Sequence, residues 1–531
     1  MESATQPEAA SAVETETNGA AASATAPETF EVHRPTDGTL IREVPITTAP
    51  EVAEAVAGVR AAQEEWEAIG FAGRYHWLGQ LRDWMFENAD HLADVMQEET
   101  GKVRADAETE APFICDAINF WGKHAAEYLA DETLTAPNPM FKVKRLQVTY
   151  RPYPVVGVIS PWNFPLILAF DDAIPALMAG AGVVIKPSEV TPLIAIEVAR
   201  AWREEVGGPD VIRVVNGTAD TGGALIDEVD FLQFTGSERT GKIVMKRAAD
   251  TLTPVSLELG GKDPMIVLGD ANLERAVNGA AFGGLANTGQ ICMAIERVYV
   301  EEPIYDEFVD KLAARVRELR QGTDDRSFKQ DLGAMTFPPQ VEIVSDHVED
   351  ARAKGARILT GGRRKEGPGN WYEPTVIADA DHSMKVMVDE TFGPVLGVMK
   401  VKDADEAVRM ANDTRYGLSA SVMSRDTKKA EQVARRLEVG ATNIDDVLTN
   451  YFMHNMPMGG WKQSGVGFRH GAYGIKRFCR SEGIVSPRFK QGKRDPLWFP
   501  HKRTERRFLG GVMRFIGARG LRNRLGLRKR G

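Results

Sequence analysis

A cysteine and a glutamate carry the first chemistry that can be read. Cys292 ends the run Gly289-Gln290-Ile291-Cys292, and Glu258 opens Glu258-Leu259-Gly260-Gly261-Lys262, 34 positions earlier. A thiol attacks as its thiolate, so it needs a base or a lowered pKa. A glutamate brought beside it by the fold serves as that base, or activates a water that attacks a covalent intermediate. The pair points to covalent catalysis at a carbonyl. Taken singly, the two strings fit equally a small buried side chain and a glycine turn.

Other strings add to the pair. Pro161-Trp162-Asn163-Phe164-Pro165 follows a strand end. The Asn163 amide either stabilises an oxyanion with the Cys292 backbone N–H, worth about 3 kcal/mol of barrier, or caps the helix that follows. Lys186-Pro187-Ser188-Glu189 closes the next strand, at the edge where parallel sheets take ligands. Lys186 suits a ribose hydroxyl or a phosphate. Glu189 accepts from a ribose 2′-hydroxyl and repels a 2′-phosphate. The alternative is a solvated loop pair. Phe234-Thr235-Gly236-Ser237-Glu238-Arg239-Thr240-Gly241 reads as strand, glycine turn and helix start, fit for a pyrophosphate or for a plain turn. In Asp389-Glu390-Thr391-Phe392-Gly393-Pro394, Glu390 and Phe392 share a face if extended. That offers a carboxylate for ribose and a ring for a flat heterocycle, or only the rim of a turn.

The elements that hold these strings alternate. Val52, Ala55, Val56, Val59 and Ala62 mark one helix face, and Leu78, Leu81, Trp84 and Met85 another. Lys142–Val158 reads as strands. Then come strand 155–160, helix 171–181, strand 182–186, helix 193–206, and strands 211–215 and 231–235, the last opening into a helix at Arg239. A second α/β unit follows Gly260, with strand 265–268, helix 273–285, strand 298–300 and helix 305–319. This βαβ order predicts parallel sheets covered by helices on both faces. No solenoid-length repeat is visible.

At 531 residues the chain exceeds one ordinary core. Its three cysteines are Cys115, Cys292 and Cys479; few and far apart, they fit a reducing compartment. No Cys/His cluster has zinc spacing, so no metal is expected. The net charge of −10 hides a basic end: residues 484–531 hold 15 Lys/Arg against Asp495 and Glu505. The acidic remainder argues against nucleic acid as a partner. Residues 1–28 lack Lys and Arg and read as a disordered acidic leader, without a secretory signal. The apolar stretch 154–170 is interrupted by Pro161, Asn163 and Pro165 and is no membrane span.

Together the strings resemble the aldehyde dehydrogenase superfamily, in family order over about residues 30–480. They include Pro-Trp-Asn-Phe-Pro at 161–165, Lys-Pro-Ser-Glu at 186–189, Phe-Thr-Gly-Ser at 234–237 and Glu-Leu-Gly-Gly-Lys at 258–262. Asn-Thr-Gly-Gln-Ile-Cys at 287–292, Glu-Thr-Phe-Gly-Pro at 390–394 and Pro-Met-Gly-Gly-Trp-Lys-Gln-Ser-Gly at 457–465 complete the set.

The resemblance implies an NAD(P)-dependent aldehyde oxidation. Cys292 is then the nucleophile, Asn163 and the Cys292 amide the oxyanion hole, and Glu258 the base that hydrolyses the thioester. Ser160, Trp162, Lys186, Ser188, Glu189, Gly236, Ser237, Gly241, Leu259, Glu390 and Phe392 match cofactor-contacting positions. Glu189 favours NAD, with NADP open. The implied architecture is a Rossmann-like cofactor domain over 29–136 and 154–259, and an α/β catalytic domain over 260–477. A small β arm over 137–153 and 478–487 would build a homodimer or homotetramer, and 488–531 is an added tail.

The nearest likeness is to bacterial members labelled succinate-semialdehyde dehydrogenase. Those place an arginine shortly after Pro-Trp-Asn-Phe-Pro and another before the Asn-x-Gly-Gln segment; this chain has Asp171 and Ala286 there. A desolvated substrate carboxylate needs a cation, and Asp171 repels it if it faces the pocket. The expected substrate is an uncharged, apolar or aromatic aldehyde. Succinic semialdehyde, CoA-dependent release of the thioester, and a non-catalytic scaffold are the competing readings. In the tail, Phe508, Leu509, Val512, Met513, Phe515 and Ile516 among arginines suit a basic amphipathic helix on an anionic membrane. Gly510, Gly511 and Gly517 weaken it, and a frayed tail docking on the acidic body is the alternative. A cytoplasmic enzyme, with the tail at the inner membrane face, is the expected setting.

Overall fold

The computed structural model describes residues 28–138, 141–490, 492–495 and 498–527. The acidic leader, Glu28 apart, lies outside the described residues.

The strands Val155–Ile159, Gly182–Lys186 and Phe231–Thr235 are apolar and buried almost throughout, as strands covered on both faces must be. They centre a six-stranded sheet whose order is 465–466, 255–258, 231–235, 155–159, 182–186, 212–214. All of it is parallel except Gly465–Val466, which runs antiparallel along Leu257 and Glu258. That short pairing folds the distant segment 449–478 back over the end of the strand bearing Glu258.

A seven-stranded sheet holds the second half, in the order 357–360, 375–378, 395–401, 295–301, 263–267, 419–423, 441–444, parallel but for the antiparallel edge 357–360. Lys144–Pro152 pairs along its whole length with Cys479–Pro487, and Glu132–Leu134, a strand the sequence pattern did not show, adds a third member.

The helix Pro165–Ala179 begins six residues before the expected start at Asp171. It is buried on every side. A helix with no polar face gives no amphipathic period, so hydrophobic spacing does not mark its start. Pro165 takes the first turn, where its missing N–H costs nothing. The free N–H groups of Leu166 and Ile167 go to Glu110 Oε2, both at 3.1 Å, while Glu110 Oε1 takes Lys102 Nζ at 2.6 Å. Glu99 repeats the device one helix on, accepting from Leu193 and Ile194 at 2.7 and 3.1 Å. Burial pushes the Glu99 carboxyl up to about 8.

The Lys102–Glu110 pair is fully buried, and breaking one side of such a pair leaves an uncompensated charge. Glu110→Ala is expected to cost about 3–5 kcal/mol in denaturant unfolding. An unchanged midpoint would show that the helix start is held by packing alone.

Candidate active site

Cys292 is presented by a strained turn. Asn287 (φ 49), Thr288 (φ 56) and Gly289 (φ 73) are left-handed in succession, a costly conformation that persists only where surroundings impose it. The imposing bonds are Asn287 N–H to Asp106 Oδ2 (3.2 Å), Thr288 Oγ1 to the Gly333 carbonyl (3.2 Å), and Thr336 N–H to Gln290 Oε1 (2.8 Å). At Gly261 a Cβ would lie 2.2 Å from the Cys292 carbonyl oxygen. Only glycine lets the Glu258–Lys262 loop rest on the backbone of the cysteine.

Asn163 donates from Nδ2 to the Gln290 carbonyl at 2.8 Å. This fixes its amide against the cysteine turn and leaves the second amide hydrogen for an oxyanion. The helix behind it is capped by Glu110, so capping is not the task of Asn163. Its own carbonyl takes Lys102 Nζ (2.9 Å) and Asn287 Nδ2 (3.1 Å).

Glu258 ends its strand buried, and neither carboxylate oxygen has a hydrogen-bond partner. Burial pushes its pKa up to about 7, against the pull of Arg469 and Arg477. Burial likewise pushes the half-buried Cys292 thiol up to about 12, with Arg469 opposing. The thiol therefore rests protonated, and the Glu258 carboxyl titrates near neutrality. Cys115 and Cys479 are buried away from this pocket, with thiols also at about 12.

The cation facing both groups was not foreseen. Arg469 Nε and Nη2 reach Asp172 at 2.9 and 2.6 Å, and Nη2 also donates to Thr235 Oγ1 at 2.9 Å. Arg477 pairs with the same Asp172. Asp171 is buried too; its Oδ2 accepts from Tyr451 (3.1 Å) and pairs with His470 Nε2 (2.9 Å), with Arg469 Nε 3.8 Å away. The Asp171 charge is thus matched, and its repulsion is weaker than a bare carboxylate at that position implied. The other position singled out, Ala286, opens the cysteine turn. Tyr451 stacks on Phe113 at 5.4 Å, and Phe452 meets Phe113 edge-on at 5.6 Å, giving the site an aromatic wall. The sequence trace of all this was a doublet of aspartates in an apolar helix.

The remaining strings gather on the other side. Ser160 Oγ is buried without a partner. Lys186 is buried, its Nζ 2.8 Å from the Pro187 carbonyl and 3.7 Å from Glu189; burial lowers its pKa. Ser188 Oγ accepts from Val190 N–H, and Glu189 is exposed. Gly236 donates to the Glu258 carbonyl (3.0 Å), and Ser237 caps the helix Glu238–Thr251. Gly241 lets that helix close on Leu259, whose Cδ2 lies 2.5 Å from where a Cβ would stand. Trp162 meets Phe392 edge-on at 5.3 Å and Phe337 at 5.9 Å. Glu390 Oε1 accepts from Gly261 N–H at 2.9 Å, and burial pushes this carboxyl up to about 8. Lys262 pairs in the interior with Glu296, whose oxygens accept from Thr391 and Phe392 N–H at 2.8 and 2.9 Å.

The sequence profile of the Aldehyde dehydrogenase family matches residues 22–484. This chain belongs to the aldehyde dehydrogenase family. A Mycolicibacterium smegmatis protein assigned by name as a succinate-semialdehyde dehydrogenase (NADP+) is 38% identical over 454 residues, 85% of this chain and 87% of that one. The 4,4′-diapolycopene aldehyde oxidase of a Methylomonas species is 37% identical over 484 residues, 91% of this chain and 90% of its own. The crystal structure of betaine aldehyde dehydrogenase from Staphylococcus aureus in complex with NAD+ superposes with a TM-score of 0.82 at 33% identity, covering 88% of this chain and 93% of that one.

As an aldehyde dehydrogenase the chain is NAD(P)-dependent, and the residues on the cofactor side fit that group. The partnerless Ser160 hydroxyl, the glycines Gly236 and Gly241, and the Trp162–Phe337–Phe392 rings offer hydroxyl, backbone and ring contacts. Phe337 joins the residues read from the sequence.

The raised Glu258 carboxyl predicts a pH dependence. Because burial raises its pKa, its base form prevails above about 7 and is lost as pH falls below. Turnover of this aldehyde dehydrogenase is expected to rise through that pH. Glu258→Gln should remove that limb and slow turnover by roughly 10²–10⁴-fold, with acyl-Cys292 accumulating in intact-mass spectra. A variant that keeps the pH limb would assign the base elsewhere.

Proposed function

We propose that this aldehyde dehydrogenase oxidises uncharged, apolar or aromatic aldehydes to their carboxylic acids, with NAD preferred. The observation behind the substrate class is the charge balance of the wall. Asp171 and Asp172 face Arg469 and Arg477, two against two, with Phe113, Tyr451 and Phe452 beside them. No cation is left over for a substrate carboxylate, and desolvating one unpaired is costly. The Methylomonas relative, named for diapolycopene aldehyde, supports the same reading. The Mycolicibacterium relative favours succinic semialdehyde instead, and Glu189 at the strand end favours a free ribose 2′-hydroxyl over a 2′-phosphate.

The residues act in sequence. Cys292 gives up its proton to solvent by way of Glu258 and adds as the thiolate to the carbonyl carbon, and the oxygen takes the negative charge. The Asn163 amide and the Cys292 N–H stabilise that oxygen. NAD, when bound by the residues above, supplies the hydride acceptor. Cys292 then carries the acyl group as a thioester. Glu258 takes a proton from the water that attacks it, and collapse releases the acid and the thiolate. A water-activating base in place favours hydrolysis over transfer to CoA.

Assembly as a homodimer or homotetramer is assigned to the three-stranded sheet, whose strand Cys479–Pro487 is mostly exposed. The helix Arg503–Gly517 lies beyond the family match and has no buried residue. On a helical wheel Phe515, Phe508, Val512, Ile516, Leu509 and Met513 occupy one arc, interrupted by Glu505, which pairs with Arg494, and Arg506, Arg503, Arg514 and Arg507 occupy the opposite one. We assign this face to an anionic membrane surface, at about 1 kcal/mol per basic residue. Among the described residues no helix is long and apolar enough to cross a membrane.

Two measurements test the reading. NADH formation is expected with decanal, hexanal and benzaldehyde and absent in Cys292→Ala; turnover confined to succinic semialdehyde would overturn the apolar assignment. The full chain is expected to sediment with anionic liposomes and a chain ending at Pro487 to remain in solution; equal behaviour removes the membrane assignment.

A further inference from the structure

His454 sits in the aromatic wall, and no step of the reaction uses it. It is 4% exposed, and neither ring nitrogen has a hydrogen-bond partner. Asp116 Oδ2 comes within 3.4 Å of Nε2, but off the line a hydrogen bond requires. Phe113, His470 and Phe120 pack around the ring at 4.8, 5.2 and 5.6 Å. Asp171 Oδ1 and His470 Nδ1, close by, are also buried without partners. Four unsatisfied polar atoms in one buried cluster is a heavy cost, since each forfeits its bonds to water. Native interiors keep such groups chiefly where a ligand or ordered water satisfies them.

The cluster lies on the substrate side. Tyr451, stacked on Phe113, is bonded to Asp171 and lies 3.4 Å from Arg469; it packs against the same core cluster as Cys292, and its neighbour Asn450 reaches Met293 Sδ at 3.6 Å.

Charge selects among the ligands. Asp171, His454 and His470 bring their donor atoms within 4.8 Å of one another, a set able to hold a metal ion. But the four buried charges beside them are already balanced, and Asp171 Oδ2 is committed to Tyr451 and His470. A divalent cation would add two positive charges, and the nearest uncommitted acid, the exposed Asp116 at 3.4 Å from His454 Nε2, offsets them only in part. A carboxylate lacks a cation for the same reason. An uncharged oxygen meets the site without disturbing the balance, because a neutral imidazole donates from one nitrogen and accepts at the other.

We propose that His454 forms a subsite for an uncharged oxygen function, a hydroxyl, ether or ketone, carried on the body of the aldehyde away from the reacting carbon. This rests on the apolar-wall reading above. The substrate class it selects is an aldehyde with a mainly hydrocarbon body and one further neutral oxygen.

The test compares hydroxy- and oxo-alkanals with plain alkanals of equal length. For the wild-type enzyme, one position of the second oxygen is expected to raise kcat/KM about tenfold over the matched alkanal, the effect of one buried neutral hydrogen bond. In His454→Phe, which keeps a ring among Phe113 and Phe120, that ratio should fall to near one, the loss appearing in KM rather than kcat. His454→Gln, which can still donate and accept, should retain part of it. A ratio unchanged in His454→Phe, or a wild-type enzyme that prefers no oxygenated aldehyde, overturns the subsite. Stoichiometric zinc binding by Cys292→Ala in calorimetry, lost when His454→Phe is added, would overturn it in favour of a metal. Failure of every alkanal alongside turnover of succinic semialdehyde would instead sink the apolar-wall reading, so the two failures are distinguishable.

Discussion

The buried pairing of Arg469 with Asp172 holds the site in one piece. Two charges taken out of water cost several kcal/mol each, and only close geometry with further hydrogen bonds offsets that. Here the guanidinium makes two bonds to Asp172 and one to Thr235, while Arg477 adds Ser256 at 3.0 Å. Those partners belong to the helix Pro165–Ala179, two strands of the first sheet and the returning segment. Remove the pair and the segment carrying Tyr451, His454 and His470 loses its anchor. The same cations hold down the pKa of a glutamate that burial alone would raise further. Structure and reactivity here share one electrostatic source.

A second constraint is close backbone contact. Gly261 lies against the Cys292 carbonyl, and at Gly289 a Cβ would lie 2.1 Å from the Gly393 carbonyl oxygen. The Lys262–Glu296 pair then ties the loop after Glu258 to the backbone of Thr391 and Phe392. Cys292, Glu258 and the loop of Glu390 and Phe392 are therefore tied into one frame. The rings of Phe113 and Phe452 lie outside this frame, where side chains can change without disturbing it.

The parts legible in the sequence were those whose chemistry is local. Strand 231–235 and helix 273–285 were read to the residue, since apolar runs bounded by glycine or a cap announce themselves. Cys292, Glu258 and Asn163 stand in short strings that the fold brings together. What escaped needed partners far apart in sequence. Arg469 and Asp172 are separated by 297 positions, and nothing local marks either as half of a pair. The helix start at Pro165 was hidden because Glu110, which caps it, comes from another helix. His454 escaped because its surroundings, not its neighbours in the chain, make it unusual.

The three thiols of this chain are unequal in a way that alkylating reagents would register. Cys115 and Cys479 are sealed in the core, while Cys292 alone is half-buried. A folded molecule therefore offers electrophiles a single address. Covalent labelling under native conditions then counts folded chains by the first label, and labels beyond it count unfolded ones.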